Sequence, residues 1–317
     1  MLWGGDEIVA LNRRTALARL TEVAARDLIP FAGRAVRRAK RAADQLAYRT
    51  LGPDFEERNL ALKAHYQDKG GDPFGLDTEF TKYMAMVTSV AHRLWFRTSV
   101  YGIENVPSGG ALLVSNHSGQ FPLDGMMIAA SMFMDAQPPR LVRAMVEKWA
   151  QTMPYISLLF SRTGQVVGVP DNCRRLLERD ELILVFPEGA RGVSKPFSKR
   201  YQLQDFGPGF MRMAMEMGVP IIPVAVVGAE EQYVNVGNLE WAAKFLGAPA
   251  LPLLPQLLIP GGQLPLPTKY HIYFGEPMSF EGDPDDDELV EEQAWLVKQN
   301  IQNMLGQGLR SRQNIFF

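Results

Sequence analysis

Six short apolar runs between residues 111 and 274 constrain this chain more than any other feature of it. They are Ala111–Ser115, Leu141–Val146, Gln165–Val169, Leu182–Phe186, Ile221–Val227 and Tyr270–Phe274. Each is too short for a buried helix, and helical stretches separate most of them: Asp124–Asp135, Asp171–Arg179 and Phe206–Met217. Strands that are apolar throughout, alternating with helices, have to be buried on both faces. The pattern predicts an α/β fold, a largely parallel sheet of about six to seven strands with helices on both faces. Asp287–Leu305 reads as a closing helix whose acidic first turn suits the helix dipole.

Before residue 99 the period is helical. Ile8–Ala25, Ala32–Tyr48, Glu56–Tyr66 and Phe80–Phe96 repeat apolar residues every three or four positions, broken at Pro30, Gly52-Pro53 and Gly70-Gly71-Asp72-Pro73. Two regions follow: a helical one over 1–98, suited to membrane docking, and an α/β domain over 99–317. With 33 basic and 35 acidic residues and 46% hydrophobic residues, the chain is globular rather than disordered. The basic residues are uneven, however: residues 1–50 hold ten Lys/Arg against five Asp/Glu, a surface for anionic headgroups or an acidic partner, or simply a solvated helix face.

Met1-Leu2-Trp3-Gly4-Gly5-Asp6-Glu7 lacks the basic start and apolar core of a signal peptide. The greasiest stretch, Leu246–Pro260, is broken by Pro249, Pro252 and Pro255, so it is no membrane span. It suits an interfacial loop or a core excursion. Cys173 is the only cysteine, which leaves no internal disulfide and no thiolate metal cluster to build, and its expected role is that of a small apolar side chain. No metal or permanently bound cofactor is expected. These features predict a cytoplasmic protein, peripheral on the cytoplasmic face of a membrane.

Two of the apolar runs end in chemistry. Ala111–Ser115 discharges into Asn116-His117-Ser118-Gly119-Gln120-Phe121-Pro122-Leu123-Asp124-Gly125, and Leu182–Phe186 into Pro187-Glu188-Gly189-Ala190-Arg191-Gly192. Open α/β sheets build their sites at strand carboxyl ends. A carboxylate accepting from Nδ1 of His117 leaves Nε2 to take a proton, so Asp124 suits an orienter; alternatively it is the N-cap of the next helix. No serine occupies a nucleophile elbow, so a basic His117 would activate a substrate hydroxyl, favouring direct transfer. Arg191 suits a phosphate or an oxyanion, and Lys195, Lys199 and Arg200 follow in the same loop as a basic cluster or a solvated surface. The cluster is small and has no interleaved aromatics, which excludes nucleic acid. Ile221–Val227 is read as a buried strand, with Glu230 and Glu231 in the turn after it; His65 and His92 are read as structural.

In this order, Asn116-His117…Asp124, Phe186-Pro187-Glu188-Gly189-Ala190-Arg191 and Val219-Pro220-Ile221-Ile222-Pro223-Val224 resemble the glycerolipid (lysophospholipid) acyltransferase superfamily over roughly residues 100–280. Tyr201-Gln202-Leu203, Gly209-Phe210 and Val227-Gly228-Ala229-Glu230-Glu231 resemble the branch related to mono- and diacylglycerol acyltransferases. The resemblance implies acyl transfer from acyl-CoA or acyl-carrier protein to a lipid hydroxyl. It implies that His117 is the base, Asp124 its orienter, and Glu188, Gly189 and Arg191 the acceptor-binding block, with Ala190 inside it. Two departures stand out. The family's aspartate position is Pro122 here, the carboxylate coming two residues later, and the usual Glu-Gly-Thr-Arg-Ser reads Glu-Gly-Ala-Arg-Gly. The second opens neutral or larger lipids as acceptors. Competing readings are a non-catalytic lipid-binding scaffold on the same fold and a lipid hydrolase.

Overall fold

The computed structural model describes residues 48–118, 121–148, 155–239 and 251–317, with scattered positions between 38 and 45. The chain divides into two compact units, Met1–Pro53 and Asp54–Phe317. In the first, the described positions from Arg38 to Leu51 are helical. The expected helix Ile8–Ala25 lies outside the described residues.

The second unit opens with α1 (Asp54–Asp68) and α2 (Thr78–Val90), the latter running into a π-turn at Ala91–Trp95. Asp77 caps α2 by accepting from the amides of Glu79 (3.1 Å) and Phe80 (3.0 Å), two donors that a helix start otherwise leaves unpaired. Then come β1 (Ser99–Tyr101), β2 (Ala111–Ser115), α3 (Leu123–Met134), β3 (Val142–Val146), α4 (Ile156–Arg162), β4 (Val166–Val167) and α5 (Pro170–Leu177). The chain finishes with β5 (Leu182–Val185), α6 (Ala190–Val193), α7 (Gly209–Met217), β6 (Ile221–Val227), β7 (His271–Phe274) and α8 (Asp287–Ser311). The compact unit begins well before residue 99 because α1 packs on α3. The rings of Phe55 and Phe133 meet edge to face at 5.4 Å, and Arg58 donates to the carbonyls of Phe133 and Ala136.

The sheet has seven strands in the order β1-β7-β6-β2-β5-β3-β4, and all neighbours are parallel except β6 and β7. The expected α/β architecture holds, and the strand not foreseen is β1, three residues at an edge. Alternate residues of each central strand enter opposite layers. Leu112, Val114 and Ile183 pack with Met211 of α7 and Val297 of α8, whereas Leu113, Leu182 and Leu184 pack with Met127 and Ile128 of α3. The chain leaving β2 therefore turns to one face and the chain leaving β5 to the other. Adjacent strands whose exits diverge in this way open a crevice at their carboxyl ends.

Candidate active site

His117 and Glu188 stand in that crevice. Val114 is paired with Val185, and continuing the register past both strand ends brings His117 level with Glu188. The amide of His117 donates to Glu188 Oε1 at 2.9 Å. On the other side of β2, Asn116 closes the gap to β6: its Nδ2 donates to the Val226 carbonyl (3.1 Å) and its Oδ1 accepts from the Val226 amide (2.8 Å). The histidine is thus delivered by a backbone clamped from both flanks.

Asp124 reaches the ring. Nδ1 of His117 lies 2.8 Å from Asp124 Oδ2, which also accepts from the Ser118 amide at 2.8 Å, while Oδ1 accepts from the Gly125 amide at 2.8 Å. The carboxylate is wholly buried and sits in the first turn of α3, where the positive end of the helix dipole favours its charge. Asp124, two residues past Pro122, thus reaches the histidine from inside the first turn of α3; the N-cap of that helix is Pro122, without a side-chain cap bond, so Asp124 is not the cap. A carboxylate can only accept, so the proton of the imidazole is held on Nδ1 and Nε2 carries the lone pair. The side chain of His117 stays 16% exposed, and among the described residues nothing bonds Nε2. Phe186 stacks on the imidazole, centroids 4.0 Å apart and planes at 18°, fixing the ring's face.

The Glu-Gly-Ala-Arg block is folded onto this histidine. Gly189 adopts φ 56° and ψ −143°, open to glycine, and so turns the chain from β5 into α6. A Cβ on Gly192 would lie 2.9 Å from Glu188 Cβ and 3.0 Å from both Cβ and O of His117. That contact explains why the hydroxyl residue usual at this position is missing.

Glu188 is buried and turned inward. Its Oε1 holds the His117 amide, and its Oε2 accepts from the Gln204 amide (2.7 Å) with Lys195 Nζ 3.3 Å away. Lys195 likewise leaves the expected surface cluster and is buried between Glu188 and Glu230, 3.1 Å from Glu230 Oε1. Lys199 and Arg200 are exposed. Arg191 is exposed too and donates to the Asp205 carbonyl at 2.9 Å. Burial pushes the Glu230 carboxyl up to about 7 against the pull of Lys195, since one ammonium serves two dry carboxylates. Glu231 faces elsewhere, paired with Arg312.

His92 and Cys173 lie apart from this chemistry. His92 is buried against Ser131 (3.0 Å), and desolvation pushes it down to about 4. Cys173 is half-buried, and burial raises its thiol to about 11, which disarms it as a nucleophile. A cavity of about 280 Å³ between Val106, Met132 and Arg140 opens at the opposite, amino-terminal edge of β2 and contains none of the residues above. Among the described residues no cluster of His, Cys, Asp and Glu could hold a metal, and no helix is long and apolar enough to cross a membrane.

A family model described as Acyltransferase matches residues 97–227, from β1 through β6 with both motif loops. The chain carries an acyltransferase domain. Uncharacterized protein ML2427 of Mycobacterium leprae is 36% identical over 255 residues, 78% of this chain and 70% of that protein. The Mus musculus protein named DGAT1/2-independent enzyme synthesizing storage lipids is 24% identical over 225 residues, covering 70% and 64%. The crystal structure of the 1-acyl-sn-glycerophosphate acyltransferase PlsC from Thermotoga maritima aligns with a TM-score of 0.48 at 18% identity, covering 74% and 83%. The chain belongs to the glycerolipid acyltransferase superfamily and is an acyltransferase of lipid metabolism.

Proposed function

We propose that the protein transfers a fatty acyl group from the thioester of acyl-CoA or acyl-carrier protein to a hydroxyl of a (lyso)glycerolipid, with His117 as general base. The observation that carries this is the 2.8 Å contact between His117 Nδ1 and the buried Asp124, which leaves Nε2 as the basic atom at the mouth of the crevice. The acceptor hydroxyl gives its proton to Nε2 as its oxygen attacks the thioester carbonyl. The C–S bond then breaks, and the thiolate leaves with the proton from the imidazolium. Asp124 stabilises that cation without taking the proton. Transfer proceeds without an acyl-protein intermediate, since among the described residues no activated serine or thiol adjoins the ring.

Arg191 and Lys199, exposed beside the α6 turn, supply positive charge for the phosphates of the donor or of an anionic headgroup. Gly189, Ala190 and Gly192 contribute backbone but no hydroxyl, which favours neutral or larger acceptors. Glu188 acts as a positioning residue, and Lys195 holds it. The protein works at the cytoplasmic face of a membrane as a peripheral enzyme, with residues 1–98 contributing to docking; of these, 1–37 lie outside the described residues.

The test is incubation with a radiolabelled acyl thioester and a panel of lysophospholipid and mono- and diacylglycerol acceptors. Label is expected in a lipid ester. Free fatty acid appearing faster than ester would point to a hydrolase instead, and lipid binding without turnover to a scaffold.

A further inference from the structure

The Glu-Gly-Ala-Arg loop has His117 on one flank and, on the other, a carboxylate that neither the fold nor the histidine chemistry uses. β5 lies between β2 and β3, and all three are parallel. Ala144 of β3 is paired with Leu184, so continuing the register past the strand ends brings Glu147 level with Pro187, one residue from the level of His117. Neighbouring strands lie about 4.8 Å apart, which sets the backbones of His117 and Glu147 roughly 10 Å apart with the loop between them.

The contacts of the loop agree with this placement. Gly192 approaches His117, and Gly189 approaches Glu147. A Cβ on Gly189 would lie 3.5 Å from Glu147 Oε1, and beyond its chain neighbours nothing else among the described residues comes within 4 Å. Glu147 is exposed, and among the described residues no hydrogen bond or ion pair engages its carboxylate. The other acid of the loop, Glu188, is buried and already serves the amides of His117 and Gln204.

The cations nearby do not cancel this charge. Lys195 is held by Glu188 and Glu230, and Arg191 reaches to the Asp205 carbonyl. Lys148 is exposed like Glu147 and pairs with no described acid.

We propose that Glu147 selects the acceptor: it admits a neutral glycerolipid with a second free hydroxyl, of the monoacylglycerol class, and turns away one that carries a phosphate, of the lysophosphatidate class. With the reacting hydroxyl at Nε2 of His117, the rest of a three-carbon glycerol lies over Gly189, within reach of the Glu147 carboxylate. A free hydroxyl there donates to the carboxylate in a charge-assisted bond. A phosphate there meets like charge at about 4 Å, which at a protein surface weakens binding by about tenfold or more. The proposal rests on the acyl-transfer reading above and names its acceptor; Arg191 and Lys199 are left to the phosphates of the donor.

The experiment gives the full chain a labelled acyl thioester with monoacylglycerol or lysophosphatidate of the same acyl chain, in nonionic micelles. Binding of each lipid is measured separately from turnover, and the melting temperatures of Glu147→Gln and Glu147→Lys are checked against that of the parent. The parent is expected to prefer monoacylglycerol by about tenfold or more in both kcat/KM and binding, and by less at high salt. Glu147→Gln should remove most of that preference and Glu147→Lys should reverse it, through KM rather than kcat. A parent that takes lysophosphatidate as readily as monoacylglycerol, or binds neither, would overturn the proposal. So would variants that keep the parent's ratio, because Glu147 would then be a solvated surface acid. If the parent binds monoacylglycerol selectively through Glu147 yet forms an ester from neither lipid, acceptor selection stands and the acyl-transfer reading fails.

Discussion

The sequence presents two alternatives for Asp124, the N-cap of α3 or the orienter of His117; Pro122 takes the N-cap position, and Asp124 holds Nδ1 of His117. Its Oδ1 accepts from the adjacent Gly125 amide, while Oδ2 meets the ring and the Ser118 amide. Replacing it by Asn keeps the shape but offers an NH₂ group to Nδ1, favouring the tautomer that puts the proton on Nε2. Asp124→Asn is therefore expected to fold normally and to lose roughly 10²–10⁴ in kcat, read in a steady-state transfer assay; a loss of only a few-fold would contradict its role as orienter. Gly192 makes a second prediction at this scale. A methyl group there meets Glu188 and His117 at about van der Waals overlap, so Gly192→Ala should cost about 1–3 kcal/mol by overpacking. It should also lower kcat as the histidine loop shifts. Chemical denaturation and turnover measured side by side check it, and a fully active, fully stable variant would show that the loop is more open than described.

The ends of β6, β2 and β5 act together because a chain of contacts ties them: Glu230 to Lys195, Lys195 to Glu188, and Glu188 to the His117 amide. Lys195→Met strips the cation from between two buried carboxylates and is expected to cost about 3–5 kcal/mol, measured by urea unfolding. Glu230 also leaves a signature in pH. Its folded pKa, about 7, is above the usual carboxylate range, so the folded state holds a proton that the unfolded chain releases. Stability from this group is fully present below the ordinary glutamate range, falls as pH rises, and is lost above about 7. Glu230→Gln should abolish this falling limb in melting temperatures taken across that range, and an unaltered profile would count against the assignment.

At this same scale the sequence was legible where period dominated. Runs such as Leu182–Val185 and Ile221–Val227 are apolar throughout because both faces are covered, and they emerged as strands with the expected helices between them. Ser99–Tyr101 was missed because a three-residue edge strand carries too short a pattern to read. His117, Asp124 and the Glu-Gly-Ala-Arg block were visible as strand-end chemistry. The inward turn of Lys195 and Glu188 was not, since it depends on Glu230 arriving from another strand 35 residues later. Likewise, nothing in the local pattern tells that Phe186 stacks on His117 rather than ending its strand in the core.

In the unit Asp54–Phe317, hydrogen bonds from both flanks clamp the strand end that carries His117. Direct transfer predicts sequential kinetics with both substrates on the enzyme, and no labelled protein when acyl thioester is mixed with enzyme alone and quenched in acid. A covalent acyl-enzyme that forms and decays at the rate of turnover would overturn this. Turnover depends most of all on the basic nitrogen of His117. The most direct measurement is the rate of ester formation from a labelled acyl thioester by His117→Ala, with circular dichroism and melting temperature matched to the parent. The expected result is a folded protein slower by roughly 10²–10⁴-fold; a folded variant that turns over at the parent's rate would contradict the mechanism.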